Sequence, residues 1–569
     1  MQLTRAEHVR LGGYGEERIS SVLVAGTLLC DACLRPGSDP VTFPVPGARI
    51  GVGCRTNGES TRKTNWIWGT TDEFGEFMVD LPSHLHAAPW LEESCMVRVL
   101  LMPKECLCRS NPGMVFRDLK LSSGGNSIRV YSAGTLRCRE SNGGVTFIVT
   151  RSEPVRVHPV EDAGDGEFYF LSNLDQNVAG IMKTVHLFAA ATDRSTADVG
   201  GVLRDALAKV LVHFYPFSGS LTISPEGKLI VKCDGRGVPF VEAAAECDME
   251  VVGDISIPDP EKLGKLVYVD PQAKNILQTP LLTVQVTRFE CGGFVVGLAM
   301  NHCMADGISS VEFLQSWAET ARNRRLLSRP PFLDRTIQRA RHPTKIEFPH
   351  HEFAELEDES NLTQLFDSEP NRYRAFTFGS DELGRLKGMA TVDDGSCTCF
   401  VALSAFIWRS WARALNMDPR QKTKLLFAVD VRRRFEPPLP VGFFGNGVVF
   451  GCCLCKAGEL QDNPVSFAAR LIQASVRNTT DRFIRSAIDH LESNRARPSL
   501  TATLVITTWT KLQFMSSDFG WGEAVQSGPA ELPHKVVVFL PQVNGMKSVT
   551  VVVGLPASSM KAFQELLQL

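Results

Sequence analysis

The chain has 569 residues, more than one ordinary domain, and this length predicts two or three domains. Apolar residues make up 44% and charged residues 22%, which excludes intrinsic disorder, and the net charge of −3 provides no basic field for nucleic acid. No uninterrupted apolar run approaches the length of a membrane span. The polar, partly acidic residues 1–18 fit a secretory leader poorly, and we predict that they are frayed.

Cysteines are concentrated at the start of the chain. Seven of the sixteen precede residue 140, a density typical of a small disulfide-bonded unit in an oxidising compartment. The remaining nine are scattered, as in a cytosolic enzyme with free thiols. Cys30 and Cys33 have the spacing of half a zinc site, but no second pair completes four ligands, so we expect no metal.

Residues 19–140 are predicted to form a small all-β sandwich or barrel. Apolar or alternating runs at 22–24, 48–52, 77–79 and 97–101 are separated by Gly, Pro, Asn and Asp. The blocks at 24–33, 45–54 and 71–77 resemble the pollen Ole e 1-like domain, an extracellular family with a cysteine framework. The resemblance implies a binding or packing module without chemistry of its own.

Strands and helices alternate after a turn predicted at residues 141–144, which indicates an α/β layer architecture. A first lobe over 145–325 contains predicted strands at 145–149, 228–232 and 282–286, a strand running into a loop at 167–175, and a helix at 199–214. A crossover linker over 326–372 follows. Arginines are frequent at the start of this linker, where Asp334 is the single acidic residue. We interpret these arginines as a solvated surface.

A second lobe is predicted over 373–569. Its elements are a helix at 399–415, a strand at 425–429, one long helix at 465–491, two strands at 536–540 and 549–553, and a last helix at 557–567. Asn463 is placed as the N-cap of the long helix and Pro464 as its first residue. Asn544 and Gly545 indicate a hairpin turn between the two strands.

His302 stands between a predicted strand ending near residue 296 and a predicted helix from Gly307 to Ala321. An imidazole with an ordinary pKa near 6.5 can take and return a proton at neutral pH. Asp306, four residues on, could pair with a ring nitrogen or brace the turn. The pattern is weak by itself, because His158 and Asp162 repeat it in a predicted loop.

A second block, Asp518-Phe-Gly-Trp-Gly522, lies about two hundred residues further on. The two motifs in this order resemble the BAHD acyltransferases of plants, over about residues 145–569. Blocks at 214–220, 403–408, 430–434, 437–440 and 444–447 share the resemblance. It implies two lobes related to chloramphenicol acetyltransferase, with an acyl donor and an acceptor meeting at His302 in a channel between them.

The resemblance also implies roles for individual residues. His302 is the expected general base, and Asp306 is expected to turn away from it and pair with Arg432 or Arg434. Trp509 is expected to donate its indole N–H to the oxyanion, with Thr507 alongside. The second motif is expected to be structural, through Asp518, Gly520, Trp521 and Gly522. A coenzyme A thioester is the implied co-substrate, no metal is implied, and the arginines of the linker could alternatively hold its phosphates.

The acceptor is suggested by the blocks at 171–176, 301–304, 495–500 and 504–509. They look most like the branch that moves feruloyl or caffeoyl groups to long-chain alcohols and ω-hydroxy fatty acids for suberin and waxes. We expect a cytoplasmic monomer. The alternatives are a shikimate- or quinate-type hydroxycinnamoyltransferase, which would want an arginine handle for its acceptor, a condensation-domain enzyme, and a non-enzymatic wall protein led by residues 19–140.

Overall fold

The computed structural model describes most of the chain, in segments. These are residues 21–32, 41–54, 65–82, 91, 95–101, 115–116, 119–125, 128–139, 147–161, 167–191, 194–324, 326–391, 397–495, 500–541 and 548–568. The chain forms two compact units, residues 1–146 with 250–254, and residues 147–249 with 255–569. Within the described segments, no helix has both the length and the apolar character needed to cross a membrane. The expected turn at 141–144 and the polar residues 1–18 lie outside the described residues.

The first unit is built of short strands, as its alternating sequence predicts. They are β1 (Ser21–Ala32), β2 (Val41–Pro44), β3 (Arg49–Cys54), β4 (Asn65–Thr70), β5 (Glu76–Leu81), β6 (Cys95–Leu101), β7 (Val115–Phe116), β8 (Lys120–Gly125) and β9 (Ile128–Arg139). One sheet has the order β2-β1-β9-β8 with β5 on β1, and the other has the order β4-β3-β6-β7. A disulfide joins Cys54 to its cross-strand partner Cys95. Cys33 lies outside the described residues.

The first lobe of the second unit is a mixed sheet with flanking helices. Its strands are β10 (Val149–Arg151), β11 (Val155–Val157), β12 (Phe168–Tyr169), β13 (Ile181–Phe188), β14 (Ser220–Ile223), β15 (Leu229–Lys232), β16 (Val238–Ala245), β17 (Leu282–Phe289) and β18 (Phe294–Asn301). Its helices are α1 (Asn173–Asn177), α2 (Val199–Val210), α3 (Pro260–Leu263) and α4 (Gly307–Ala321). Short 3₁₀ turns cover Tyr215–Ser218, Met249–Val252 and Gly264–Leu266.

The linker and the second lobe follow the same α/β pattern. Helices are α5 (Leu362–Ser368), α6 (Ser380–Ala390), α7 (Cys399–Ala414), α8 (Ala457–Asp462), α9 (Val465–Asn478), α10 (Asp481–Asn494) and α11 (Ala557–Leu566). Strands are β19 (Asn371–Phe378), β20 (Lys422–Asp430), β21 (Val448–Lys456), β22 (Thr503–Thr508), β23 (Gln526–Pro529), β24 (Val536–Pro541) and β25 (Val549–Pro556). Further 3₁₀ turns cover Thr336–Gln338, His351–Phe353 and Phe514–Ser516.

Two large sheets organise this unit. The first has the order β10-β16-β17-β18-β13-β23 with β11 on β16, and a small sheet β12-β15-β14 stands beside it. The second has the order β19-β25-β24-β22-β20-β21. Each large sheet carries its own apolar core, with Trp317 of α4 in the first and Trp408 and Trp411 of α7 in the second. The α/β class expected from the sequence is therefore correct.

Several element boundaries differ from the predictions. The strand expected at 145–149 begins only at Val149, and residues 173–175, expected in a loop, open helix α1. The long helix expected at 465–491 is two helices, because Thr480 caps a new one through a hydrogen bond from the N–H of Phe483. Residues 526–529 belong to the second lobe by sequence, yet β23 pairs with β13 of the first sheet.

The cap expected at Asn463 is also wrong. Helix α8 ends at Asp462, and the N-cap of α9 is Pro464. Asn463 follows α8 as its C-cap, and its amide donates back to the Glu459 carbonyl at 2.9 Å. The hairpin turn expected at Asn544 and Gly545 lies outside the described residues, although β24 and β25 do pair antiparallel.

Candidate active site

His302 lies on the turn between a buried strand and a helix. All eight residues of β18 are buried, because the strand is apolar and lies inside its sheet between β17 and β13. The backbone N–H of His302 donates to the carbonyl of Gly180 at 2.7 Å, which fixes the strand end. Helix α4 then begins at Gly307 with Asp306 as its N-cap. The predicted strand–turn–helix unit is confirmed.

Asp306 binds Arg432, and among the described residues it makes no hydrogen bond with the imidazole of His302. The two guanidinium nitrogens Nη1 and Nη2 lie 2.8 and 2.9 Å from Oδ2 and Oδ1 of Asp306. The same carboxylate accepts the backbone N–H of Ser309 at 3.0 Å and that of Gly447 at 2.9 Å. Asp306 is only 2% exposed. Of the two roles left open for Asp306, the geometry is that of a brace for the turn.

The environment keeps Asp306 ionised. Burial opposes the charged form, but the positive charge of Arg432, its hydrogen bonds and the two backbone N–H groups outweigh burial. The pKa of Asp306 is therefore lower than that of an ordinary aspartate. The pKa of Arg432 is raised, since Asp306 and Asp430 together outweigh the cost of its burial.

Arg434, the other expected partner of Asp306, lies elsewhere. Its Nη1 donates to the carbonyls of Val476 and Thr479, each at 2.8 Å. These carbonyls belong to the C-terminal end of helix α9, which leaves such groups without helical partners. The sequence pattern could not separate Arg432 from Arg434, because the partner of each arginine lies far away in the sequence and is brought to it only by folding.

A residue that the motif analysis did not single out contacts His302 directly. Oδ1 of Asn446 lies 3.1 Å from Nδ1 of His302, and Nδ2 of Asn446 donates to the His302 backbone carbonyl at 2.8 Å. Asn446 is fully buried and stands in the loop before β21. The imidazole is thus held from the second lobe of the unit.

Behind Asn446 lies a buried ion pair between Asp175 and Arg335. Nη1 of Arg335 is 3.2 Å from Oδ2 of Asp175, and both side chains have no exposed surface. Oδ1 of Asp175 accepts the backbone N–H of Asn446 at 3.0 Å and its Nδ2 at 2.9 Å. Burial lowers the pKa of Arg335, but the charge and hydrogen bond of Asp175, together with Tyr169 and Cys303, outweigh burial, so the pKa is raised. The prediction that the linker arginines are solvated is therefore wrong for Arg335.

Arg335 also binds both strand-to-loop connections of the site. Its guanidinium donates to the carbonyls of Cys303 at 2.9 Å and Phe444 at 3.0 Å, and to that of Met304. Cys303 and Met304 follow His302, and Phe444 precedes Asn446 by two residues. A single cation of the linker thus connects the His302 turn to the Asn446 loop.

The two glycines around Asn446 leave room for two arginines. A Cβ at Gly445, where φ is +154°, would lie 2.7 Å from Nε of Arg335. A Cβ at Gly447 would lie 2.6 Å from Nη1 of Arg432. Side chains at these positions would displace the guanidinium groups, so the Phe444-Gly-Asn-Gly447 block is what permits both ion pairs to flank Asn446.

Trp509 and Thr507 lie at the end of β22. The backbone N–H of Trp509 donates to Phe539 at 2.7 Å, and its ring centroid is 5.1 Å from that of Phe514. The carbonyl of Trp509 accepts the N–H of Leu512, and the Leu512 side chain packs against Gly307 at the start of α4. Leu512 thus links Trp509 to the N-terminal end of helix α4, which begins shortly after His302. Its role, and that of Thr507, stays a prediction.

The second motif packs on the first sheet. Oδ1 of Asp518 accepts the backbone N–H groups of Gly520 at 2.7 Å and Gly522 at 2.9 Å, which closes a turn. The Trp521 ring lies under the guanidinium of Arg194, 3.7 Å from its centroid, and contacts Phe294 edge-on. No contact with His302 is present among the described residues. These contacts fit the structural role expected for the motif, which stays a prediction.

Signals for the missed residues were present but weak. Ser172 and Asp175 have the spacing of a capping box, and both of its hydrogen bonds form at the start of α1. Phe444-Gly-Asn-Gly447 carries part of the family resemblance but does not by itself indicate a contact with His302. Nothing local separates Arg335 from its neighbouring arginines. Among the described residues, no group of three or more His, Cys, Asp or Glu could hold a metal ion.

The second unit thus consists of two α/β lobes, with His302 on a turn that Asp306 and Arg432 brace. Residues 147–569 match the Transferase family, and the chain belongs to this BAHD family of acyltransferases. It is therefore an acyltransferase that uses a coenzyme A thioester as co-substrate. The Ole e 1-like resemblance of residues 19–140 is not borne out by the comparisons.

The relatives cover the second unit. The chain is 52% identical to the omega-hydroxypalmitate O-feruloyl transferase of Arabidopsis thaliana, over 73% of this chain and 92% of the relative. It is also 52% identical to the fatty alcohol:caffeoyl-CoA acyltransferase of Arabidopsis thaliana, over 74% of this chain and 99% of the relative. Among solved structures, vinorine synthase is similar in fold, with a TM-score of 0.59 at 22% identity, over 73% of this chain and 96% of that one.

Proposed function

We propose that the chain transfers a hydroxycinnamoyl group, feruloyl or caffeoyl, from a coenzyme A thioester to the hydroxyl of a long-chain alcohol or an ω-hydroxy fatty acid. The observation that carries the proposal is the 52% identity with two enzymes whose names state these substrates. The alignments span 92% and 99% of those relatives, so the likeness is not confined to the motifs.

The chemistry follows from the position of His302. A thioester already carries a good leaving group, so no enzyme nucleophile is required. Nε2 of His302 takes the proton of the acceptor hydroxyl while that oxygen attacks the thioester carbonyl carbon. The tetrahedral intermediate then collapses, the carbon–sulfur bond breaks, and His302 returns the proton to the sulfur of coenzyme A. Trp509 and Thr507 are the proposed partners of the oxyanion.

The test is a direct comparison of acceptors. Purified full-length chain with feruloyl-CoA is given hexadecanol, 16-hydroxyhexadecanoic acid or shikimate, and release of the coenzyme A thiol and formation of ester are both measured. The expected result is ester formation on the two long-chain acceptors and little on shikimate. Faster turnover on shikimate would overturn the proposed acceptor and favour the shikimate-type alternative.

We also propose that the enzyme acts as a monomer in the cytoplasm. Coenzyme A thioesters are supplied in the cytosol, whereas the Cys54–Cys95 disulfide of the first unit is typical of an oxidising compartment. Counting titratable thiols in protein taken from its native tissue distinguishes the cytosol from an oxidising compartment. In a cytosolic chain, Cys54 and Cys95 should be reduced.

A further inference from the structure

The donors and acceptors around Asn446 determine which way its amide points. Nδ2 lies 2.9 Å from Oδ1 of Asp175 and 2.8 Å from the carbonyl oxygen of His302. A carbonyl oxygen can only accept, and the Asp175 oxygen already accepts the backbone N–H of Asn446. Both positions therefore require the NH₂ group of the amide. Oδ1 is consequently the atom that faces Nδ1 of His302, at 3.1 Å.

The orientation of the amide selects one form of the neutral imidazole. Oδ1 of Asn446 has no hydrogen to give, so Nδ1 of His302 must carry the proton for a hydrogen bond to form. The proton-accepting lone pair then lies on Nε2. We propose that Asn446 is a positioning residue that holds His302 as the Nδ1–H tautomer, with the buried Asp175–Arg335 ion pair fixing the Asn446 amide. The proposal rests on the role proposed above for His302 as the base.

Asp175 and Arg335 make this arrangement rigid. The other oxygen of Asp175, Oδ2, accepts the backbone N–H and the hydroxyl of Ser172 at 2.7 and 2.8 Å, in addition to facing Arg335. Both oxygens of the carboxylate are thus satisfied without water. Rotation of the Asn446 amide by 180° would place its Oδ1 against the Asp175 carboxylate and against the His302 carbonyl. All three oxygens are acceptors, so no hydrogen bond could form among them. In a buried site this costs several unmade hydrogen bonds.

The first test is spectroscopic and needs no substrate. The full chain is labelled with ¹⁵N-histidine, and the ring nitrogens of His302 are observed at a pH where the imidazole is neutral. They are assigned by their loss in His302→Gln. The expected spectrum shows Nδ1 at the shift of a protonated nitrogen and Nε2 at that of an unprotonated one. The opposite pattern in the wild-type protein overturns the proposal, whatever the variants do.

The second test removes the acceptor while retaining side-chain volume. In Asn446→Leu the two nitrogen shifts of His302 should approach each other, because the ring exchanges between tautomers. The kcat should fall roughly ten- to a hundredfold, as is typical when a histidine loses its orienting partner, while KM for the acyl donor changes by less than about twofold. Unaltered nitrogen shifts in a folded Asn446→Leu protein would overturn the proposal.

A matched control separates positioning from loosening of the loop. Nε2 of Gln338 donates to the backbone carbonyl of Asn446 at 3.0 Å and does not touch its side chain. Gln338→Leu should therefore lower stability but keep the wild-type nitrogen shifts of His302. If Gln338→Leu moved these shifts as much as Asn446→Leu, the effect would be structural and the proposal would fail. A chain inactive on all long-chain acceptors would contradict the proposed function but leave the spectroscopic result standing.

Discussion

Arg432 holds both oxygens of Asp306, at 2.8 and 2.9 Å, across 126 residues of sequence. Through Gly447, the same carboxylate also binds the loop that carries Asn446. The aspartate of the His-x-x-x-Asp pattern therefore connects the two lobes, and Asn446, whose side chain contacts the imidazole, comes from the other lobe. From this ion pair we predict which variants should lose mainly stability and which should lose mainly turnover.

His302→Ala should abolish most of the turnover with little loss of stability, since only the hydrogen bond to Asn446 is lost with the imidazole. The substitution removes the proposed base but none of the contacts of Asp306 or Arg432. General-base removal typically costs about 10²- to 10⁴-fold in rate. The control is His158→Ala, because His158 begins the same pattern in the chain and its ring nitrogen Nδ1 hydrogen-bonds to the Gly235 carbonyl. Retention of more than about a tenth of the activity in His302→Ala would mean that His302 is not the base.

Asp306→Asn should reduce the free energy of unfolding at least as clearly as it reduces turnover. Removing one partner of a buried ion pair leaves the other charge uncompensated and costs about 3–5 kcal/mol. Urea denaturation of purified variants measures the effect. A variant with an intact unfolding curve and no activity would instead indicate a direct catalytic role for Asp306.

Arg432→Met should destabilise the protein more than Arg434→Met. Arg432 pairs with a buried carboxylate, whereas Arg434 donates to two backbone carbonyls at the end of α9. Each substitution removes one charge and retains most of the apolar stem, so the pair is matched in volume. Equal losses of unfolding free energy in the two variants would contradict the assignment of Arg432 as the partner of Asp306.

The contribution of Asp306 to stability should depend on pH. Its pKa is lower in the folded chain than the value of about 3.9 expected when unfolded, so ionisation favours the fold. The stabilisation is complete above the unfolded pKa and is lost as the pH falls through the folded pKa. The difference in unfolding free energy between wild type and Asp306→Asn should therefore be constant from pH 7 to about 5 and shrink below pH 4. Asp205→Asn, on the exposed face of α2, should give no such trend.

A chain that starts at Gly143 should fold and keep the kcat/KM of the full chain. The family match begins at residue 147, and the second unit is compact without residues 1–146. The two relatives at 52% identity align with this chain over 92% and 99% of their own length. The measurement is soluble yield and kcat/KM on a long-chain acceptor. An insoluble or inactive shortened chain, beside an active full chain, would show that the first unit is required.

The sequence by itself determined the local structure around His302 and the class of the fold. The apolar run of β18, the periodicity of α4 and the capping preference of Asp306 act over a few residues, so they are visible in the order of the residues. The same local pattern predicts one helix where the structure has α9 and α10, because apolar residues keep their helical spacing across the boundary. The break between the two helices is stabilised by Thr480 and Arg434.

Only the tertiary structure decided which residues meet. Asn446 reaches His302 across 144 residues, and Arg335 is buried, whereas the other described arginines of this stretch are at least partly exposed. Strand β23 leaves its own lobe to pair with β13, and the side chain of Arg432, not that of Arg434, enters the site. The physical reason is that burial, desolvation and ion pairing depend on which distant surfaces pack together, and no local spacing encodes that choice.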